Sequence, residues 1–184
     1  LDFHLYAKVR PGRISVFESV NGIPDTLLDG LDFTTSGGFG YPGAKSAYFD
    51  GPPGARVPTE ELSLQIRELD AHYRAGVKAN VPFVVFPKDE PISSSKDDSG
   101  NVRMICGSCL PFTIILRCYY LPIFCFIMDS PFVFGMAPGM NAVSPQWTEL
   151  WQFLTGEGYS SDTVLAGDFG GFDKSINASQ VIAA

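Results

Sequence analysis

Residues 163–175 read Thr163-Val164-Leu165-Ala166-Gly167-Asp168-Phe169-Gly170-Gly171-Phe172-Asp173-Lys174-Ser175. The apolar run from Thr163 to Gly167 is expected to be a short strand that ends at Asp168. Two carboxylates five residues apart cannot share a face of a regular element: on a helix they diverge by about 140°, and on a strand they point to opposite sides. Both serve one site only if the strand stops between them. A strand that delivers an aspartate at its C-terminal end is a common way to offer a carboxylate to a divalent cation, because the sheet fixes the oxygen while the loop backbone adds carbonyls. Gly170 and Gly171 then permit close backbone approach to a ligand. Taken alone, two aspartates at this spacing are more often ordinary turn residues.

Upstream lies a second feature. Val81-Pro82-Phe83-Val84-Val85-Phe86 reads as a strand with Pro82 placing its start at an edge. After Lys88-Asp89-Glu90-Pro91 and a polar turn over residues 93–101, Val102-Arg103-Met104-Ile105 reads as the returning strand. Lys88, Lys96 and Arg103 would thus line one hairpin, lysine as a point charge and arginine as a fork suited to phosphate. The plainer alternative is a solvated hairpin whose cations offset Asp89, Glu90, Asp97 and Asp98.

Between and around these features the pattern is mixed. Residues 14–48 are dense in Gly, Pro and Asn, which predicts irregular loop with at most short helices. Thr59 is a predicted N-cap for a helix carrying Leu62, Ile66, Leu69 and Tyr73 on one face and stopping near Gly76. Leu110 to Met128 is apolar and long enough for a membrane span to be considered. Arg117 near its middle and Pro111 and Pro122 argue instead for a buried helix, whose covering partner lies partly elsewhere. Ser144 and Pro145 are predicted to cap and open a short amphipathic helix over 145–154.

The chain has 184 residues and a formal net charge of −7, which argues against a protein that coats nucleic acid through many cationic contacts. A local basic site is still compatible with that charge. All 4 Cys fall between Cys106 and Cys125, a poor disulfide framework, so a reducing compartment is expected. Cys106-Gly107-Ser108-Cys109 has the spacing of half a zinc site, but no second pair follows and core or near-core thiols are expected. Gly38 to Ser46 imitates a phosphate-binding loop, yet Ala44 interrupts it and no apolar strand precedes it. His4 and His72 are isolated. The opening Leu1-Asp2-Phe3-His4 lacks an initiator Met and a leader, and the last residues follow closely on the Asp168 segment; both ends are expected to be cuts in something longer.

Taken in order, Lys88-Asp89-Glu90, Lys96, Arg103-Met104-Ile105, an apolar helix with Arg117, Gly135 to Gly139, Trp147, and Asp168 to Ser175 resemble the RNA-dependent RNA polymerases of picorna-like positive-strand RNA viruses. Val20-Asn21-Gly22-Ile23-Pro24 and Thr34 to Pro42, with its T-S-x-G-Y-P-like pattern, resemble the fingers of the same family. The resemblance implies an α+β chain forming part of a right-hand polymerase: fingers segment 1–87, basic hairpin 88–105, helical junction 106–158, and the first palm strand in 159–184. It implies that Lys88 and Arg103 meet the incoming nucleoside triphosphate and that Lys96 lines its channel. Asp168, with the Phe169 backbone carbonyl assisting, would bind Mg²⁺, or Mn²⁺ in its place. Asp173 would sit near the ribose 2′-hydroxyl.

The activity so implied is template-directed nucleotidyl transfer with two metal ions, NTPs as substrates, and RNA as template and product. The remaining palm and thumb would be partners, in a replication complex in the host cytoplasm. Two departures qualify it. Pro91-Ile92 and Asn101 stand where the family often has further cations, and neither an S-G-x3-T nor a Gly-Asp-Asp motif follows Asp173, so these 184 residues alone are expected to be inactive. The rival readings are a non-enzymatic protein anchored through 110–128 and a small module holding metal on its cysteines.

Overall fold

The structure is a computed structural model that describes residues 12–92, 94, 100, 102–141, 143–156 and 166–168. The chain divides into two compact units, Leu1–Pro138 and Gly139–Ala184. In the first, helix α1 (Val16–Asn21) starts with a reciprocal cap. Ser15 Oγ accepts from the Glu18 N–H at 3.1 Å, and the Glu18 carboxylate accepts from the Ser15 N–H at 2.8 Å. A 3₁₀ turn (Lys45–Tyr48) leads into β1 (Phe49–Asp50), which pairs antiparallel with β2 (Val57–Pro58).

Thr59 caps α2 (Glu60–Arg74) as predicted, its Oγ1 accepting from the Leu62 N–H at 3.4 Å. Strands β3 (Phe83–Pro87) and β4 (Met104–Ser108) then form a separate antiparallel ribbon, with Phe83 opposite Ser108 and Pro87 opposite Met104. After Cys109 begins α3 (Leu110–Met128), followed by the single-turn α4 (Pro131–Phe134).

Three helices meet in the core. Leu110, Ile114, Ile115 and Cys118 of α3 pack with Val20 of α1, Leu62 and Ile66 of α2, and Phe49 of β1. Leu69 and Tyr73 complete the predicted α2 stripe from the edge of that cluster. A smaller cluster joins Cys125 to Ile14 and Leu28. The apolar α3 therefore behaves as a core helix, and its single cation explains how. Arg117 Nε donates to the Ser19 carbonyl at 2.7 Å, and its Nη2 donates to the Asp29 carbonyl, so the guanidinium ties α3 to the backbone of the preceding segment. A membrane span is not favoured by this packing. The opposite face of α3 carries Leu116, Tyr120, Ile123 and Phe124, all more than a third exposed.

Polar groups close the remaining gap between α2 and α3. Asp70 accepts from the Tyr119 hydroxyl at 2.7 Å, from Arg74 Nε at 2.9 Å and from Arg13 Nη2 at 3.1 Å. Burial pushes the Asp70 carboxyl up, but the Tyr119 and Arg74 hydrogen bonds and the two guanidinium charges outweigh it and hold the carboxyl below its usual value.

Several expectations are corrected at element ends. Strand β4 runs on through Cys106, Gly107 and Ser108, because Val85, Val84 and Phe83 supply partners for them. Cys106 is consequently exposed on the ribbon rather than near the core, whereas Cys118 and Cys125 are buried. In the second unit α5 (Gln146–Thr155) starts one residue late: Pro145 is the boundary residue, and Ser144 Oγ accepts from the Gln146 N–H at 3.3 Å. The expected strand over 163–167 is only partly within the described residues. Thr163, Val164 and Leu165 lie outside them, and Ala166 and Gly167 have no strand conformation, since no described strand pairs with them.

Candidate functional site

The ribbon gathers two of the predicted cations. Beyond Pro87 the pairing continues by one bond, the Lys88 N–H donating to the Arg103 carbonyl at 2.8 Å, so these residues face each other just past the paired strands. Glu90 lies between their side chains. Its Oε2 is 2.6 Å from Lys88 Nζ and 3.6 Å from Arg103 Nη1. The carboxylate is the most sheltered of the three, its side chain 23% exposed against 39% for Lys88 and 73% for Arg103. Exposed pairs of this kind contribute at most about 1 kcal/mol to folding, so the main effect of the carboxylate is on where the cations stand.

The root of the ribbon is held by contacts with α3 and with the Gly38 loop. Phe83 packs edge-on against Phe112 of α3, with ring centroids 5.9 Å apart. Gly38, at φ +84°, brings its loop against the Ser108 carbonyl so closely that a Cβ there would lie 2.0 Å from that oxygen. Phe83, Val84, Val85, Phe86, Met104 and Ile105 are each more than a third exposed. The cations are thus carried on a two-stranded arm fixed at the α3 end.

The Gly-rich loop that leans on this root is closed on itself. The Lys45 N–H donates to the Thr35 carbonyl at 2.9 Å and the Ser46 N–H to the Phe33 carbonyl at 3.1 Å, and Lys45 Nζ donates to the Thr35 hydroxyl. The Lys45 and Ser46 N–H groups are thus engaged within the loop itself. Tyr41 shares a short hydrogen bond with Gln65; burial, then the nearby Cys109 and Glu61, push its hydroxyl up to about 12, so it stays protonated.

Asp168 belongs to the second unit, where it is exposed and outside regular structure. Lys96, Phe169 and Asp173 lie outside the described residues. Among the described residues no group of three or more His, Cys, Asp or Glu side chains could hold a metal ion. Asp168 is one carboxylate, and a hard cation such as Mg²⁺ takes six oxygen ligands, so the described residues do not by themselves make up a metal centre. Sequence reading missed Glu90 as part of the site. Glu90 enters the sequence reading only within the Lys88-Asp89-Glu90 stretch that carries the resemblance, and a carboxylate two residues from a lysine gives no separate sign that it bridges two cations.

Comparison with known proteins follows the same segment. A family model for the viral RNA-dependent RNA polymerase matches residues 15–183. The replicase polyprotein of Cricket paralysis virus is 32% identical over 119 residues, 65% of this chain and 6% of the polyprotein. That of Drosophila C virus is 29% identical over 182 residues, 93% of this chain and 10% of the polyprotein. Among solved structures, the Sicinivirus 3Dpol RNA-dependent RNA polymerase matches with a TM-score of 0.65 at 24% identity, over 83% of this chain and 31% of that one. The chain therefore spans a tenth or less of these curated relatives and about a third of the solved polymerase.

Proposed function

Since the chain belongs to the viral RNA-dependent RNA polymerase family, and its mixed helix and strand fold is that of part of the fingers of a right-hand polymerase, we propose that it serves template-directed RNA synthesis as a segment of a larger enzyme. The observation that carries this reading is the convergence of Lys88 and Arg103 on one end of the β3–β4 ribbon. Two cations there suit the triphosphate of an incoming NTP: the lysine as a mobile point charge, the arginine as a planar fork. Lys96, from the same hairpin, would extend the cationic surface along the path the nucleotide takes. RNA is the template and product in this reading, and the remaining palm and thumb are partners within the same polymerase.

Asp168 is assigned as a carboxylate ligand of Mg²⁺ or Mn²⁺, with the Phe169 carbonyl beside it and Asp173 toward the ribose 2′-hydroxyl. The bound metal pair would activate the primer 3′-hydroxyl and stabilise the pyrophosphate leaving group. The other metal ligands must come from residues besides those described, and the proposal assigns this segment the triphosphate-binding cations and one carboxylate. The host cytoplasm is the proposed setting.

Asp168→Ala and Asp173→Ala test the assignment in a complete polymerase carrying this segment. Asp168→Ala should abolish nucleotide incorporation at every Mg²⁺ concentration. Asp173→Ala should retain incorporation while accepting 2′-deoxynucleotides more readily or turning over more slowly. Robust RNA synthesis by Asp168→Ala would remove the proposed metal ligand and the reading with it.

A further inference from the structure

We propose that Glu90 is a positioning residue for nucleotide binding: its carboxylate holds Lys88 and Arg103 converged so that both can meet one triphosphate. This rests on the reading of the ribbon as the triphosphate-binding arm. The two cations occupy facing positions on the ribbon, joined by the Lys88 N–H to Arg103 carbonyl bond of 2.8 Å. Left to themselves, like charges on facing positions repel, and two long side chains in water fan apart. One oxygen of Glu90 opposes that, at 2.6 Å from Lys88 Nζ and 3.6 Å from Arg103 Nη1.

The exposures support a positioning role over a purely structural one. Glu90 is the sheltered member at 23% exposed, and the Arg103 side chain remains 73% exposed, open to a ligand while it is held from one side. A lysine and an arginine each sample many rotamers in water, and binding a triphosphate with both requires that this freedom be lost. Holding them before the nucleotide arrives removes part of that cost, which is the general benefit of preorganisation. A contact that aligns groups for the bound nucleotide and its transition state alike acts on KM rather than kcat.

Steady-state incorporation by a complete polymerase carrying this segment tests the proposal. Glu90→Gln should raise KM about tenfold, equally for the four NTPs because the triphosphate is common to them, with kcat within about threefold of the parent. Glu90→Asp keeps the charge but draws it back by one methylene, and should recover part of the loss. In a Lys88→Ala/Arg103→Ala background, Glu90→Gln should add nothing further to KM, since the groups it positions are gone.

An unchanged or lowered KM in Glu90→Gln, while Lys88→Ala and Arg103→Ala each raise it, overturns the role of Glu90 and leaves the ribbon as the triphosphate-binding arm. Unchanged KM in Lys88→Ala and Arg103→Ala overturns the ribbon assignment itself, and Glu90 falls with it. A Glu90→Gln effect of equal size in the doubly substituted background also overturns the proposal, because the carboxylate would then act elsewhere. Should Glu90→Gln fail to fold, Glu90→Asp decides: a KM equal to the parent's counts against the role, and a raised KM with kcat retained supports it.

Discussion

The Ile14 N–H donates to the Cys118 carbonyl at 2.9 Å, and Cys118 lies four residues before Pro122 in the middle of α3. Proline has no N–H, so the carbonyl one turn earlier loses its helical partner and, in a core, must find another. Ile14 supplies it, which is why a proline is tolerated inside the helix that carries most of the core. Hydrogen exchange measures this directly. The Ile14 amide should exchange about a hundredfold more slowly than the exposed residues just before it, the protection expected of a bond that opens only with its surroundings. Exchange of Ile14 as fast as Gly12 and Arg13 would mean that the bond is not maintained in solution.

Gly38 and Gly40 provide a matched pair of substitutions. Both have positive φ, +84° and +79°, but a Cβ at Gly38 would meet the Ser108 carbonyl at 2.0 Å, whereas one at Gly40 meets nothing within 4 Å. Gly40→Ala therefore bears only the strain of the left-handed backbone, about 1–2 kcal/mol. Gly38→Ala must also push its loop away from the end of β4, and should cost at least about 2 kcal/mol more through that clash. Thermal midpoints of the two variants, with hydrogen exchange over residues 33–46, separate the effects. Equal destabilisation by the two would show that the loop does not rest on the ribbon root.

Where the chain's own neighbours decide the outcome, the sequence was readable. Thr59 and the Leu62, Ile66, Leu69, Tyr73 stripe define α2 within one stretch, and the apolar runs on either side of the polar sequence at 93–101 define the ribbon. Partners far along the chain were not readable. Arg117 looks like an obstacle inside an apolar run until the carbonyls of Ser19 and Asp29 are placed beside it, 98 and 88 positions away. Pro122 likewise looks like a helix breaker until Ile14 appears at the freed carbonyl. In the site, the convergence of Lys88 and Arg103 followed from the hairpin, but the role of Glu90 did not, because a bridging carboxylate and a solvated one have the same local sequence. Lys96, Phe169 and Asp173 lie outside the described residues, and their assignment rests on the family resemblance alone.

Asp70 gives the first unit an acid limb. Its folded carboxyl is held below the usual value: burial acts against this, and the Tyr119 hydroxyl, Arg74 and Arg13 together overcome it. In the unfolded chain the same group titrates near 3.9, so on the acid side the unfolded state binds more protons and stability rises with pH. The contribution should be fully present above about pH 5 and be lost as pH falls through the lowered folded value. Glu18, through its bonds with Ser15, and Asp32, through its bonds with Thr34, are lowered as well and act with the same sign. Asp70→Asn should therefore be less stable than the parent at pH 7 and lose less on acidification to pH 3, without becoming insensitive to it. Tyr119→Phe, which removes one donor and leaves both guanidinium groups, should fall between the two. Denaturant midpoints at the two pH values provide the comparison. If Asp70→Asn and the parent differed by the same amount at pH 7 and pH 3, the Asp70 carboxylate would contribute no proton-linked stability, and the α2–α3 joint would depend on packing alone.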